Sequence, residues 1–359
     1  MSHAFTSELH EILLRVAGWL PDDALSRARS ELADDRCADV AQLLAFAGRR
    51  SVLPLDEDDL DALAELLDSE GRDPAVLDAM ELIPESSVLP WSFSPDWDTT
   101  DDGEADEGAD GAMLLSALAE QDLHAQVIDE PGVRGLWSAV RRPVDGAPYP
   151  APRGVYVVEV DDDAEDVGEP AELCARFQET LIAAGERDPQ VEVVSVHGAR
   201  SRYQRAAQLR GRLLWSPHDD AEVNVARVFD EVDPDEGPRF APDHEKITDE
   251  AERARLVEYL ETGTELLVTT GTMIDIVDPD QGSVVPMNFR TDGAWVWTDT
   301  VTYYLKTHHL APDQELLAYL RSADEVPPTL DTVLLGRAMT ALEPADDREP
   351  VWTSQGASA

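Results

Sequence analysis

The chain has 359 residues, 43% of them hydrophobic, which is enough for two or three domains with sizeable cores. Its formal net charge of −47 argues against general binding to nucleic acid or to anionic membranes and directs attention to basic partners or a salty environment. Cys37 and Cys174 fall in separate predicted helices, with no CxxC or HxxxH spacing anywhere, so no metal site and no cofactor is expected.

Residues 1–84 read as a helical domain. Leu9, Ile12, Leu13, Val16 and Leu20 keep a helical period, and Leu25, Ala28 and Leu32 begin a second helix after Pro21. Val40, Leu43, Leu44 and Ala47 mark a third. Asp56 is placed to cap a fourth, with Leu60, Leu63, Ala64 and Leu67 inward, and a shorter turn follows around Val76, Leu77 and Met80. Each stripe is narrow and needs the others, which predicts a small antiparallel bundle.

Residues 85–111 read as an acidic linker, because DWDTTDDGEADEGADG offers too little apolar surface to offset its ordering entropy. Trp91, Phe93 and Trp97 complicate it. They either dock back onto a domain or form a short recognition peptide.

Residues 112–232 read as an α/β domain. Strands are predicted at 136–143, 154–161, 190–196, 212–217 and 223–229, with a helix through Leu173, Phe177 and Leu181 and another from Tyr203 to Leu209. Strands alternating with helices permit parallel pairing.

Residues 233–342 read as a C-terminal α+β module. A loop over 233–246 leads to a helix from Thr248 to Thr262, then to strands at 264–270, 272–277, 284–290 and 294–298. Asp292-Gly293 predicts a tight hairpin turn that sets Arg290 opposite Trp295. Helices at 299–309, 313–322 and 329–342 close the module, and 343–359 has the composition of a disordered tail. The fold class expected is therefore α+β: an N-terminal helical bundle, a mixed α/β region, and a C-terminal antiparallel sheet with helices.

Two groups of residues are candidates for binding. Arg290, Asp292, Trp295 and Trp297 share the hairpin, and either present an aromatic recognition face or lie under a helix. Arg200, Arg202 and Arg205 belong to the one positive island, HGARSRYQRAAQLRGR, and either hold an anionic group or pair with the protein's own carboxylates. His308-His309, His218 and His244 stand near carboxylates, but none has helical metal-ligand spacing, and His308 sits on an apolar stripe. No GxSxG, Walker loop, GxGxxG after a strand, or HExxH is present, so no catalytic residues are assigned.

The segment VVPMNFRTDGAWVWTDTVTYYLKTHHLAPDQELLAYLRS resembles a TDGxWVW segment of uncharacterised actinobacterial proteins, some of which are similar to immunity proteins of polymorphic toxin systems. More loosely, the resemblance extends to ERDPQVEVV and RYQRAAQLRGRLLW. It implies a binding protein and brings no catalytic residues with it. The expected function is a non-enzymatic cytoplasmic binding protein, in its most concrete form an immunity-type neutraliser of a basic toxin. The opening MSHAFTSELHEILL, with no basic stretch ahead of an apolar core, supports the cytoplasmic expectation. The alternatives are an enzyme or sensor holding a small anionic ligand between the middle and C-terminal modules, and a scaffold of a multiprotein assembly.

Overall fold

The computed structural model describes residues 2–84, 87–95, 107–144, 150–217, 222–234 and 236–343. Trp97, His218 and the tail beyond residue 343 lie outside them. The fold is α+β, with N-terminal helices preceding the sheet region. It divides into two compact units, Met1–His218 and Asp219–Ala359.

The first unit begins with α1 (Ser2–Arg15), α2 (Asp22–Ala33), α3 (Cys37–Gly48) and α4 (Glu57–Ser69). Their inner stripes are the expected ones: Ile12, Val16, Leu25, Val40 and Leu63 are fully buried. Asp56 caps α4 as expected, accepting from the Asp59 amide at 2.9 Å while the Asp59 carboxylate accepts from the Asp56 amide at 3.1 Å.

One element falls inside the expected linker and a second begins in its last residues. Trp91–Ser94 forms β1, and Glu107–Ile128 forms α5. The aromatic segment docks: the Trp91 indole donates to the Gly18 carbonyl, its ring lies 4.2 Å from the Arg141 guanidinium carbon, and Phe93 meets Tyr203 edge to face.

Then come β2 (Val133–Pro143), β3 (Arg153–Val160), α6 (Pro170–Ala183), β4 (Gln190–Ser195), α7 (Arg202–Arg210) and β5 (Arg212–Trp215). The sheet order is β1-β2-β3-β4, with β5 also on β2. Pairing is parallel between β3 and β4 and antiparallel elsewhere. Both faces of β3 and β4 are covered, which is why GVYVVEV reads as a continuous run rather than an alternating one. Leu136, Tyr156, Val158, Val191 and Val193 pack with Leu123 of α5 and Phe177 of α6 in one apolar cluster.

The N-terminal helices are not a separate domain, contrary to the 1–84 and 112–232 division expected. Arg29 on α2 pairs with Glu192 on β4 at 2.5 Å, the side chains 1% and 0% exposed. Gln204 on α7 donates to the same carboxylate at 2.9 Å and to the Leu14 carbonyl at 2.8 Å. His10 donates to the Val193 carbonyl at 2.8 Å, and Gln178 to the Ser26 carbonyl at 3.0 Å. Arg141 makes two bonds to Asp22, at 2.8 and 2.7 Å, and a third to Tyr203. Polar side chains from both expected domains satisfy one another in one interior.

The second unit contains β6 (Asn224–Val225), β7 (Glu231–Asp233), β8 (Gly237–Arg239), α8 (Glu250–Thr262), β9 (Thr264–Leu267), β10 (Thr272–Ile274), β11 (Ser283–Pro286), β12 (Phe289–Thr291), β13 (Trp295–Thr298), α9 (Asp299–His308), α10 (Gln314–Ser322) and α11 (Thr332–Thr340). A four-stranded sheet runs β6-β13-β12-β9, parallel only between β6 and β13. The β7–β8 pair falls partly in the loop expected over 233–246, and only two residues of the strand expected at 223–229 are paired. On the sheet pack Leu256 and Leu260 of α8, Val301 and Leu305 of α9, and Leu316 and Leu320 of α10.

Candidate binding site

The hairpin forms with a register different from the one its Asp-Gly pair predicts. Thr291 faces Val296, Arg290 faces Trp297 and Phe289 faces Thr298, so Gly293 and Ala294 occupy the turn and Asp292 opens it. Asp292 is 3% exposed, and its carboxylate accepts from the Ala294 and Trp295 amides at 3.0 and 2.8 Å. Bonding those amides draws aspartate to the first turn position, while Gly293 supplies the positive φ of 88°. Because the pairing slides by an even step, every side chain keeps its face.

That face is interior. Trp297 is 0% exposed and Trp295 7%, both in the cluster under α8, α9 and α10. Burying an aromatic of this size stabilises by about 3 kcal/mol. Tyr259 of α8 donates to Asp292 at 2.8 Å, and the Trp297 indole donates to the Leu260 carbonyl at 3.2 Å. Arg290 donates to Asp299 at 2.7 Å, to the Gly263 carbonyl at 3.0 Å and to Glu265 at 3.1 Å. Of the two alternatives for the hairpin residues, Trp295 and Trp297 take the second and lie under helices, with Arg290 and Asp292 tying sheet to helix.

The arginine island divides. Arg200 pairs with the buried Glu159 at 2.9 Å. Arg202 and Arg205 lie exposed along α7. They do not converge with Arg200 on one group: α7 carries them outward, whereas Arg200 precedes it and turns toward β3.

Of the histidines, His308 meets Asp275 at 2.6 Å, and Asp275 is fully buried. The closest approach to a ligand set among the described residues is Asp161, Asp163 and His197, whose ligand atoms lie within 4.8 Å of one another. His197 pairs with Asp163 at 3.3 Å and Arg134 with Asp161 at 3.8 Å, so ion pairing alone accounts for the grouping. Cys37 and Cys174 are both buried free thiols, and burial pushes Cys174 up to about 12.

A cavity of about 520 Å³ opens in the second unit, a size suited to a small ligand or a side chain. Three stretches line it: Arg227 to Asp230, Ala241 to Glu245, and Ala311 to Glu315. His244 joins them. Its Nδ1 lies 2.7 Å from Asp230 Oδ2 and its Nε2 3.0 Å from the Ala311 carbonyl oxygen. Both partners are acceptors, so the ring makes both bonds together only with a proton on each nitrogen. Phe240 packs on the His244 ring, and the Ala311 amide donates to the Glu245 carbonyl, which fixes the walls.

No family model matches the chain, and no curated protein or solved structure matches it.

The lining carries five carboxylates, on Asp230, Asp243, Glu245, Asp313 and Glu315, against Arg227 and His244. Asp313 is engaged as the cap of α10, accepting from the Glu315 amide at 2.9 Å, and Arg227 stands 4.0 Å from it and is 77% exposed. Asp230 accepts from His244 and from the Ala241 amide at 2.7 Å. Asp243 and Glu315 are exposed and have no ion-pair partner among the described residues. The lining thus holds surplus negative charge beside the apolar surface of Val228, Phe229 and Pro312.

In the sequence His244 stands near carboxylates without metal-ligand spacing, and no local signal joins the three lining stretches, which are separated along the chain.

Proposed function

We propose that the chain is a non-enzymatic binding protein for a cationic protein partner, and that the cavity of the second unit receives a lysine or arginine side chain. The carrying observation is the lining itself: five carboxylates, two of them without an ion-pair partner among the described residues, beside apolar surface able to hold an aliphatic stem. The net charge of −47 acts in the same direction, since a large negative field steers a basic partner to the surface at raised on-rate. An immunity-type neutraliser of a basic toxin is the concrete form of this proposal that the TDGxWVW resemblance implies.

The test is isothermal titration of the full chain with agmatine, which carries the arginine guanidinium on a short aliphatic stem. The Asp243→Asn/Glu315→Gln variant, altered only at exposed positions, is titrated beside it. The parent binds and the variant binds about tenfold more weakly, a loss of roughly 1.4 kcal/mol. Equal affinity of parent and variant, or binding of succinate in place of agmatine, would overturn the proposal.

A further inference from the structure

Strands β9 to β12 make one long antiparallel excursion: Leu267 pairs with Phe289 at its base, and Met273 with Val285 near its tip. One side of the tip is interior. Val285 is 0% exposed, and Met273 and Ile276 pack with it against Phe229, Tyr304 and Leu310. The other side carries exposed aliphatic residues beside the Thr272–Ser283 hydroxyl pair: Ile274 is 56% exposed, Val277 46% and Val284 42%, while Leu267 and Val268 at the base are 45% and 63% exposed.

A ribbon with one side on a core and the other in water shows polar residues outward. This one sets Ile274, Val277 and Val284 outward beside Thr272 and Ser283. Nor is the tip a loose end that happens to be apolar. Asp275, buried within it, accepts from His308 at 2.6 Å, from Tyr303 at 3.0 Å and from the Val277 and Asp278 amides at 2.9 and 3.2 Å. The aliphatic side is presented on a clamped support.

Charge selects the occupant. Between Arg255 and Arg290 the chain has no lysine, arginine or histidine, and Asp278 and Asp280, next to Val277 along the chain, have no ion-pair partner among the described residues, whereas Glu265 is taken by Arg290. A second copy would bring the same carboxylates and a further −47 to the contact, and an anionic membrane would be repelled in the same way. We infer that the outward side of this ribbon is a docking surface for an extended cationic segment of a protein partner, in which aliphatic residues alternate with lysine or arginine. Aliphatic side chains cover Ile274, Val277 and Val284, and the cations meet the bordering carboxylates. The inference shares the premise of a cationic partner with the proposed function but uses none of the cavity residues, so either can fail alone.

The test is fluorescence anisotropy of the full chain with a labelled heptapeptide alternating lysine and valine, set against one alternating lysine and serine. The Ile274→Thr/Val277→Thr/Val284→Thr variant keeps β-branched residues at exposed sites, so its fold is retained. The lysine–valine peptide binds the parent, and it binds this variant and the Ile274→Lys variant at least about tenfold more weakly, while the lysine–serine peptide loses a similar factor on the parent. The Ile274→Thr/Val277→Thr/Val284→Thr variant keeps the parent's affinity for agmatine, which separates this surface from the cavity. Equal affinity for the two peptides, or no loss in the ribbon variants, would overturn the inference. So would a concentration-dependent dimer of the parent that disappears in the triple variant, because it assigns the surface to a second copy.

Discussion

Arg29 on α2 and Glu192 on β4 form an ion pair sealed from solvent, at 1% and 0% side-chain exposure. Two charges in such a place hold only while each keeps the other. Arg29→Met leaves the Glu192 carboxylate with Gln204 as its remaining partner and costs about 3–5 kcal/mol, whereas Arg29→Met/Glu192→Met recovers most of that loss. Urea unfolding of the two single variants and the double variant closes the cycle.

This pair also marks where sequence reasoning stopped. The helical stripes through Ile12, Val40 and Leu63, the cap at Asp56 and the central strands were legible, because periodicity and capping are local. The single interior shared by 2–84 and 107–217 was not. It is made by Arg29, Gln178, Glu192 and Gln204, polar residues that a sequence reading places on a surface, each satisfied by a partner far along the chain. At the hairpin the local signal was real but pointed to a neighbouring turn, since the Asp292 carboxylate was needed to bond the Ala294 and Trp295 amides. The cavity drew on three separate stretches, and no spacing rule joins them.

His10 gives the first unit a pH dependence of definite sign. Burial pushes its imidazole down to about 4 from an ordinary 6.5, the Val193 hydrogen bond opposes this, and the Arg29 charge adds to it. The unfolded chain then binds the proton more readily than the folded one. Stability is full above the ordinary value and falls as pH drops from about 6.5 toward 4, by on the order of 3 kcal/mol. Denaturant midpoints measured between those limits decline in the parent and flatten in His10→Gln.

Asp275 works in a lower window. Burial alone pushes its carboxyl up, but the bonds from His308, the Val277 and Asp278 amides and Tyr303 outweigh that and hold it below its ordinary value. A depressed carboxyl stabilises above its unfolded value and loses that contribution as pH falls through the folded one. The ribbon tip therefore stays closed down to about pH 4 and opens below it, as amide exchange at Ile276 to Asp278 reports. Asp275→Asn opens the tip already at neutral pH.

Gly263 is fixed by packing. A β-carbon there would stand 2.3 Å from Cζ2 of the Trp297 indole, at a backbone φ of −54° that any residue adopts. Gly263→Ala forces the buried ring to shift and costs about 1–3 kcal/mol, and Gly263→Ala/Trp297→Phe regains part of it. Guanidinium unfolding followed by tryptophan fluorescence measures both.

The proposed recognition of positive charge by the cavity around His244 has a direct test. Two short peptides, identical except that one carries arginine and the other its neutral analogue citrulline, separate charge from shape. Each is titrated into the full chain while the amide signals of Asp243, His244 and Glu315 are followed by nuclear magnetic resonance. The arginine peptide is expected to shift these signals, with an affinity that weakens as salt is raised, and the citrulline peptide to leave them unmoved. Equal shifts from both peptides, or none from either, would contradict it.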